Sequence, residues 1–352
     1  MSWIKNISRF NPFSDQMGVH VWVPYTQVIA RIFPTRLLLN DDLIDFDLNG
    51  PIQNFVVFAE WEKGRIQWYM MTKEGFVNWY LYRKDKELCL ELRRAPTPIS
   101  YRLSEKGLFK KLAPKETLLF PLDKVFAENP CFEKLFFGIT KKSEAREIFK
   151  RRALEEFLPF CFFLSQMTGN KVKVIQGGIG DLFKEVENAL IQKNRSDIGK
   201  LFESILSLGF YDLFVPTLQD LFYQRIASKS LKIKGSPLVI FPHLYSLIRR
   251  CFIQQEGEYI HLLPCLPKEI AAGRMTDVQI GALTIDMEWR KEQMRRMKID
   301  VKKITKTHFS FPKEIKTYRF RKHLREKGQR LFVDQPLILQ ANNSYYFDNF
   351  MK

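Results

Sequence analysis

The sequence predicts an α+β multidomain chain: an N-terminal antiparallel β-sandwich, a short α-helical middle and a C-terminal antiparallel β-sandwich. Three observations predict it. Apolar residues alternate with a period of two from about Val19 to Leu122, recur at nearly every fourth position from Ser143 to about Gln255, and return to a period of two from Tyr259 onward. The chain has 352 residues, 45% of them hydrophobic and 14% aromatic, enough to build several cores. The expected divisions are an extension over 1–18, a β-sandwich over 19–130, a helical domain over 131–256 and a second β-sandwich over 257–352.

In the first region, the runs QNFVVFAEW, RIQWYMMT, FVNWYLYR and ELCLELRR are rich in β-branched and aromatic residues. They are joined by EKG, KEG and KDK, each short enough for a hairpin, so they read as a β-meander forming one layer of a sandwich. The two prolines of APTPISYRL break the pattern, as a strand edge or a connection does.

Five tracts carry helical spacing. The first, SEAREIFKRRALEEFLPFCFFLSQM, opens on Ser143 as N-cap and is expected to end or kink at Pro159, which lacks a backbone donor. DLFKEVENALIQ, DIGKLFESILSLGF, LQDLFYQRI and VIFPHLYSLIRRCFIQQ follow. The strand runs after them are YIHLLPCL, VQIGALTIDMEW, MRRMKIDVKK, HFSFP, TYRFR, RLFVD, PLILQ and SYYFD. Leu283, Ile285 and Met287 alternate with Thr284, Asp286 and Glu288, which puts an apolar face inward and an acidic face outward. No internal repeat is evident.

Lysine and arginine total 56 against 39 acids, a formal charge of +17, which favours anionic partners. The charge is spread along the chain, and its densest stretches, Lys141 to Arg152, Arg290 to Lys306 and Arg319 to Arg330, include acids or apolar positions at strand or helix spacing. They read as solvated surface, with no nucleic-acid-binding motif beside them. Cys89, Cys131, Cys161, Cys251 and Cys265 are odd in number and widely separated, which suits reduced, buried thiols and a cytoplasmic location. The first residues lack the apolar core of a signal peptide. The most apolar run, Phe157 to Met167, is about half of the ~20 residues a membrane span needs, so no span is expected.

The segment IHLLPCLPKEIAAGRM…GALTIDMEW resembles an element of glycoside hydrolase family 95, the α-L-fucosidase type. Ile260, His261, Leu262, Leu263, Pro264, Leu266 and Pro267 carry its first half, and Gly273, Gly281, Asp286, Glu288 and Trp289 its second. The resemblance covers about 30 residues, with a weaker echo in the β, α, β order. It implies that the helical middle is a partial α/α-barrel and that the C-terminal module is a fold marker, its prolines fixing the chain where it leaves the last helix. In that family the reaction lies in a larger barrel, where acids protonate the leaving oxygen and activate a water. The resemblance places one such acid near Lys232 to Pro237, where this chain has Lys234. A lysine is cationic at neutral pH and cannot take the part of a carboxylate that assists water.

Several other patterns can be weighed. IQGGIGDLF reads as a glycine turn into an Asp181-capped helix; it lacks the third glycine and the lysine of a nucleotide site. Trp61, Trp68 and Trp79 lie on adjacent strands and are ligand-stacking candidates, with sandwich core as the competing role. His243, in FPHLYSL, is the histidine best placed for a ligand, while His20, His261, His308 and His323 are dispersed and give no metal-ligand spacing. Among helical carboxylates (Asp181, Glu185, Glu203, Asp212, Asp220), Asp212 and Asp220 sit beside aromatics, where desolvation can raise a pKa toward general-acid use. Neither a metal nor another cofactor is expected.

Three functions therefore compete. The first is a glycoside-hydrolase-like protein that binds a carbohydrate or a protein partner without hydrolysis. The second is a divergent inverting glycoside hydrolase of the α-L-fucosidase type, using Asp212 and Asp220. The third is a basic protein that binds nucleic acid or an acidic surface through Arg295, Arg296, Arg319, Arg321 and Arg325.

Overall fold

A computed structural model describes residues 4, 12–40, 42–128, 132–138, 144–169, 175–210, 214–217, 236–312, 314–333 and 335–352. The N-terminal strands are β1 (Phe13–Ser14), β2 (Val19–Trp22), β3 (Ile29–Ile32), β4 (Arg36–Leu39), β5 (Asp42–Asp47), β6 (Gln53–Glu60), β7 (Arg65–Thr72), β8 (Gly75–Lys84), β9 (Glu87–Arg94), β10 (Ile99–Arg102), β11 (Lys110–Leu112) and β12 (Thr117–Pro121). They form two six-stranded sheets, ordered β1-β6-β7-β8-β9-β12 and β11-β10-β5-β4-β3-β2. The meander is β6 to β9, antiparallel throughout. Its first connection is a single 3-10 turn, Trp61–Lys63, closed by Gly64 in the left-handed region at φ 66°. The proline-rich Ala95 to Pro98 is the crossover between sheets, and β10 enters the second sheet between β11 and β5. β1 lies within the expected N-terminal extension and pairs with β6.

The helices are α1 (Ala145–Arg151), α2 (Leu154–Ser165), α3 (Ile179–Ile191), α4 (Arg195–Gly209) and α5 (Ile240–Phe252). The first helical tract is thus two helices. It breaks at Arg152, which adopts a left-handed conformation at φ 49°, and Pro159 is carried inside α2 instead of ending it. A mid-helix proline costs about 3 kcal/mol; here Phe157, Leu158, Phe160, Cys161, Phe162 and Leu164 are all buried around it, and that apolar burial outweighs the loss. Ser143 and the tract LQDLFYQRI lie outside the described residues. In the glycine tract, Gly180 sits where an added Cβ would fall 2.1 Å from the Ile175 carbonyl oxygen, so close backbone approach accounts for it.

The remaining strands are β13 (Lys134–Phe136), β14 (Ile253–Glu256), β15 (Tyr259–Leu262), β16 (Ala272–Ile280), β17 (Leu283–Arg290), β18 (Gln293–Val301), β19 (Thr305–Ser310), β20 (Thr317–Arg321), β21 (Gln329–Phe332), β22 (Leu337–Leu339) and β23 (Ser344–Met351). A seven-stranded sheet runs β13-β16-β17-β18-β23-β20-β21 and a four-stranded sheet β14-β15-β19-β22. The run VQIGALTIDMEW is a hairpin and not one strand, turning at Gly281, φ 56°. One pair, β15 with β19, is parallel. Phe309 of β19 meets Phe347 of β23 at 5.6 Å between ring centroids, which closes the sandwich. Gly273 pairs with Trp289, and a Cβ there would lie 2.4 Å from the indole; the glycine leaves room for the ring.

The parts share one apolar cluster. Trp22 packs on Phe241 of α5 and Trp61 on Phe160 of α2, at 5.5 and 4.7 Å. Glu133, just ahead of β13, ties the helices to the C-terminal sheet. Its buried carboxylate accepts from Arg249 Nε at 2.9 Å, Tyr245 OH at 2.9 Å and the Gln279 backbone N–H at 3.0 Å. Gln166 at the end of α2 bonds both the N–H and the carbonyl of Glu133.

Candidate functional site

The expected aromatic site dissolves in the fold. Trp61, Trp68 and Trp79 are fully enclosed: Trp68 stacks on Trp79 at 6.0 Å, Trp79 meets Phe46 of the facing sheet at 4.6 Å, and no ring presents a face to a ligand. Alternation places Trp68 and Trp79 inward as register partners, and Trp61 turns inward at the end of β6. All three belong to the core.

His243 lies in the first turn of α5, with Nε2 3.1 Å from Glu187 Oε1 of α3 and its ring 4.6 Å from Phe183. Its Nδ1 is buried without a hydrogen-bond partner among the described residues. Asp212, Asp220 and Lys234 lie outside the described residues. Of the other helical acids, Asp181 faces Lys184 at 3.6 Å and Glu203 is exposed. Glu185 and Asp197 line a common groove of about 380 Å³ between the end of α3 and the start of α4, with Asn188, Gln192, Asn194 and Lys200. The groove is open, and Ala189 and Leu201 add apolar lining to it. Among the described residues, the two buried acids of the helical region are both held by arginines, Glu133 by Arg249 and Glu156 by Arg151 at 2.9 Å.

A second arrangement was hidden in the sequence. On the outer face of the four-stranded sheet, parallel pairing sets Tyr259 of β15 beside His308 of β19. Their rings stack at 4.7 Å and 21°, and His261, two residues along β15, lies near-parallel to Tyr259 at 6.4 Å and 16°. Tyr259 is 51% exposed. Polar groups surround the rings: Glu256 Oε2 is 3.4 Å from His261 Nε2, Lys306 pairs with Glu258 at 3.4 Å, and Gln254 and Ser310 are the register partners of His261. His308 Nδ1 is buried with no hydrogen-bond partner among the described residues. An exposed aromatic bordered by short-range donors and acceptors suits a ligand with an apolar face and a polar rim. The alternation of EYIHL and KTHFS was the available signal; the register that joins them was not.

The outer face of the seven-stranded sheet accounts for part of two basic stretches, Arg290 to Lys306 and Arg319 to Arg330. Arg319 Nε and Arg321 both bond Asp348 of β23, Arg319 at 2.7 Å. Lys298 bonds Asp300 at 2.6 Å and stands opposite Asp286, and Arg296 stands opposite Glu288 on one side and Asp348 on the other. Acidic and basic strands therefore alternate across the sheet, neutralising one another locally. Arg319 and Arg321, two of the five arginines of the nucleic-acid reading, are committed to this lattice. Burial raises the Asp286 carboxyl above the usual aspartate range, although it accepts the Asp277 backbone N–H at 2.9 Å.

Cys89, Cys161, Cys251 and Cys265 are free and buried. Among the described residues no helix is long and apolar enough to cross a membrane. No curated protein matches the chain. Residues 254–340, the stretch from β14 through β22 that contains the Tyr259 face and the Gly273–Trp289 pair, match the family model described as glycoside hydrolase family 95, C-terminal domain.

Proposed function

We propose that this chain is a glycoside-hydrolase-like binding protein that holds a carbohydrate on the Tyr259, His261 and His308 face without hydrolysing it, in a reducing cytoplasm. The observation that carries the reading is the solvent-exposed Tyr259 ring, stacked on His308 inside the segment that matches a glycoside hydrolase module. A pyranose presents C–H groups on its faces and hydroxyls around its edge. The exposed part of the tyrosine meets the first, and Gln254, Glu256, His261 and Ser310 are in reach of the second. The reading without hydrolysis is supported by arginine pairing of Glu133 and Glu156, the buried helical-region acids among the described residues, and by Lys234 in the sequence where the resemblance calls for an acid.

Calorimetric titration with fucosylated and other neutral oligosaccharides tests it. Tyr259→Ala is expected to weaken binding about tenfold, equivalent to about 1.4 kcal/mol, with unfolding temperature unchanged. Equal affinity of the two proteins removes the site.

A divergent inverting hydrolase is the second reading, favoured by the shared groove of Glu185 and Asp197. Asp212 and Asp220 would then be the further acids, and His243 on Glu187 a positioning group. Sugar release from an α-fucoside, abolished by Asp212→Asn or Asp220→Asn, would establish it over the first.

A further inference from the structure

Two hairpins, one in each sandwich, carry the same exposed chemistry. The β10–β11 connection reads LSEKGLFKK over 103–111, and the β20–β21 hairpin reads LREKGQRLF over 324–332. In the first, Leu108 is 88% and Phe109 54% exposed, with Leu103 also exposed, although nothing in a hairpin turn obliges three large apolar side chains to face water. They stand among cations: Lys106, Lys110 and Lys111 against Glu105 leave a net +2 over residues 103–111, while Arg102 is held by Asp45 at 3.0 Å and lies over the Phe109 ring at 5.3 Å. Lys106, Lys110 and Lys111 are exposed and make no ion pair among the described residues. The second hairpin repeats the pattern with Leu324 exposed, Phe332 63% exposed, and exposed Lys322, Arg325, Lys327 and Arg330 against Glu326.

These clusters differ from the rest of the basic surface. Arg296, Lys298, Arg319 and Arg321 face acids on neighbouring strands, whereas Lys106, Lys110 and Lys111 make no ion pair among the described residues. Nucleic acid would draw the charge but gives Leu108 no place to be buried. A neutral protein groove would take the leucine and leave the lysines without counter-charge. An anionic lipid surface accepts both, with apolar side chains entering the acyl boundary and lysines meeting the headgroups. We infer that the Leu103–Lys111 hairpin, seconded by Leu324–Phe332, is a peripheral docking surface for anionic phospholipid membranes.

The test is sedimentation of the full chain with vesicles of phosphatidylcholine alone or with 30% phosphatidylserine, at low and high salt. The expected result is binding to the phosphatidylserine vesicles, little to phosphatidylcholine, and weakening as salt rises. Leu108→Ser with Phe109→Ser, and separately Lys110→Glu with Lys111→Glu, should each lower the bound fraction on the order of tenfold. Leu324→Ser with Phe332→Ser should lower it further. All these positions are exposed, and an unchanged thermal transition will show that the variants fold. No binding to phosphatidylserine vesicles overturns the inference. So does binding that the serine variants leave intact, because charge alone would then account for it. So, finally, does capture of the parent by a polyanion such as heparin at equal strength with the same indifference to Leu108 and Phe109. None of these outcomes bears on sugar binding at Tyr259, which is measured without lipid.

Discussion

At the scale of single residues, alternation and glycine told most of what could be told in advance. The inward set Leu283, Ile285 and Met287 is buried as its spacing required, and Gly273 faces Trp289, so the resemblance rested on residues with a packing reason to be what they are. The tryptophans show the opposite limit. Trp61, Trp68 and Trp79 satisfy both a core role and a ligand role in sequence, and only the facing sheet decides, with Phe46 against Trp79. Asp286 lends itself to a pH prediction. Its pKa is raised chiefly by burial, then by the Asp277 and Asp300 charges, against the Asp277 N–H and Lys298, which lower it. An acid whose folded pKa lies above its unfolded value contributes stability that is complete below the ordinary aspartate range and is lost as pH rises through the folded value. Asp286→Asn keeps an oxygen for the Asp277 N–H and removes the ionisation. It is expected to be more stable than the parent at pH 7, with the difference shrinking as pH falls through the raised folded value and levelling off below about 4, as thermal melts across that range would read.

Elements were legible where their signals are local and illegible where they depend on partners. The meander hairpins, the amphipathic α3 and α5 and the alternating C-terminal strands follow from period and turn residues. Three features did not. Pro159 persists inside α2 because packing on every side outweighs a lost hydrogen bond. VQIGALTIDMEW reads as one strand until Gly281 turns it. Tyr259 and His308 lie on strands whose parallel register no local pattern encodes. The Glu133 junction is of the same kind, since its partners come from α2, α5 and β16. Removing a charge from a buried, hydrogen-bonded pair leaves the other without compensation, at a cost of about 3–5 kcal/mol. Glu133→Gln should therefore lower stability by that order in urea unfolding, because Arg249, its side chain only 20% exposed, is left beside a neutral amide. A loss below about 1 kcal/mol would mean that water reaches the guanidinium.

For the whole molecule, the β, α, β order was readable and the joints between its parts were not. β13 comes from the segment ahead of the helices yet forms an edge of the C-terminal sheet, against β16, so the sandwich is completed by chain from both sides of the helical region. The matched span 254–340 is smaller than this structural unit for a further reason. β23, residues Ser344–Met351, lies beyond it and sits between β18 and β20, pairing with both. A fragment ending at 340 loses that strand, and with it Tyr345, Phe347 and the Asp348 that binds Arg319 and Arg321; β20 and β21 are then cut off from the rest of their sheet. The apolar faces of β18 and β20 would lie open, and their unpaired backbone groups would form edges prone to association. We expect the 254–340 fragment to lack the fixed tertiary structure of a β-sandwich and to aggregate, and a 253–352 fragment to recover dispersed amide signals in a proton–nitrogen correlation spectrum. Adding residues 132–138 in trans should perturb signals along β16, where β13 docks. A well-dispersed spectrum from 254–340 alone would show that the sheet can rearrange without its inner strand.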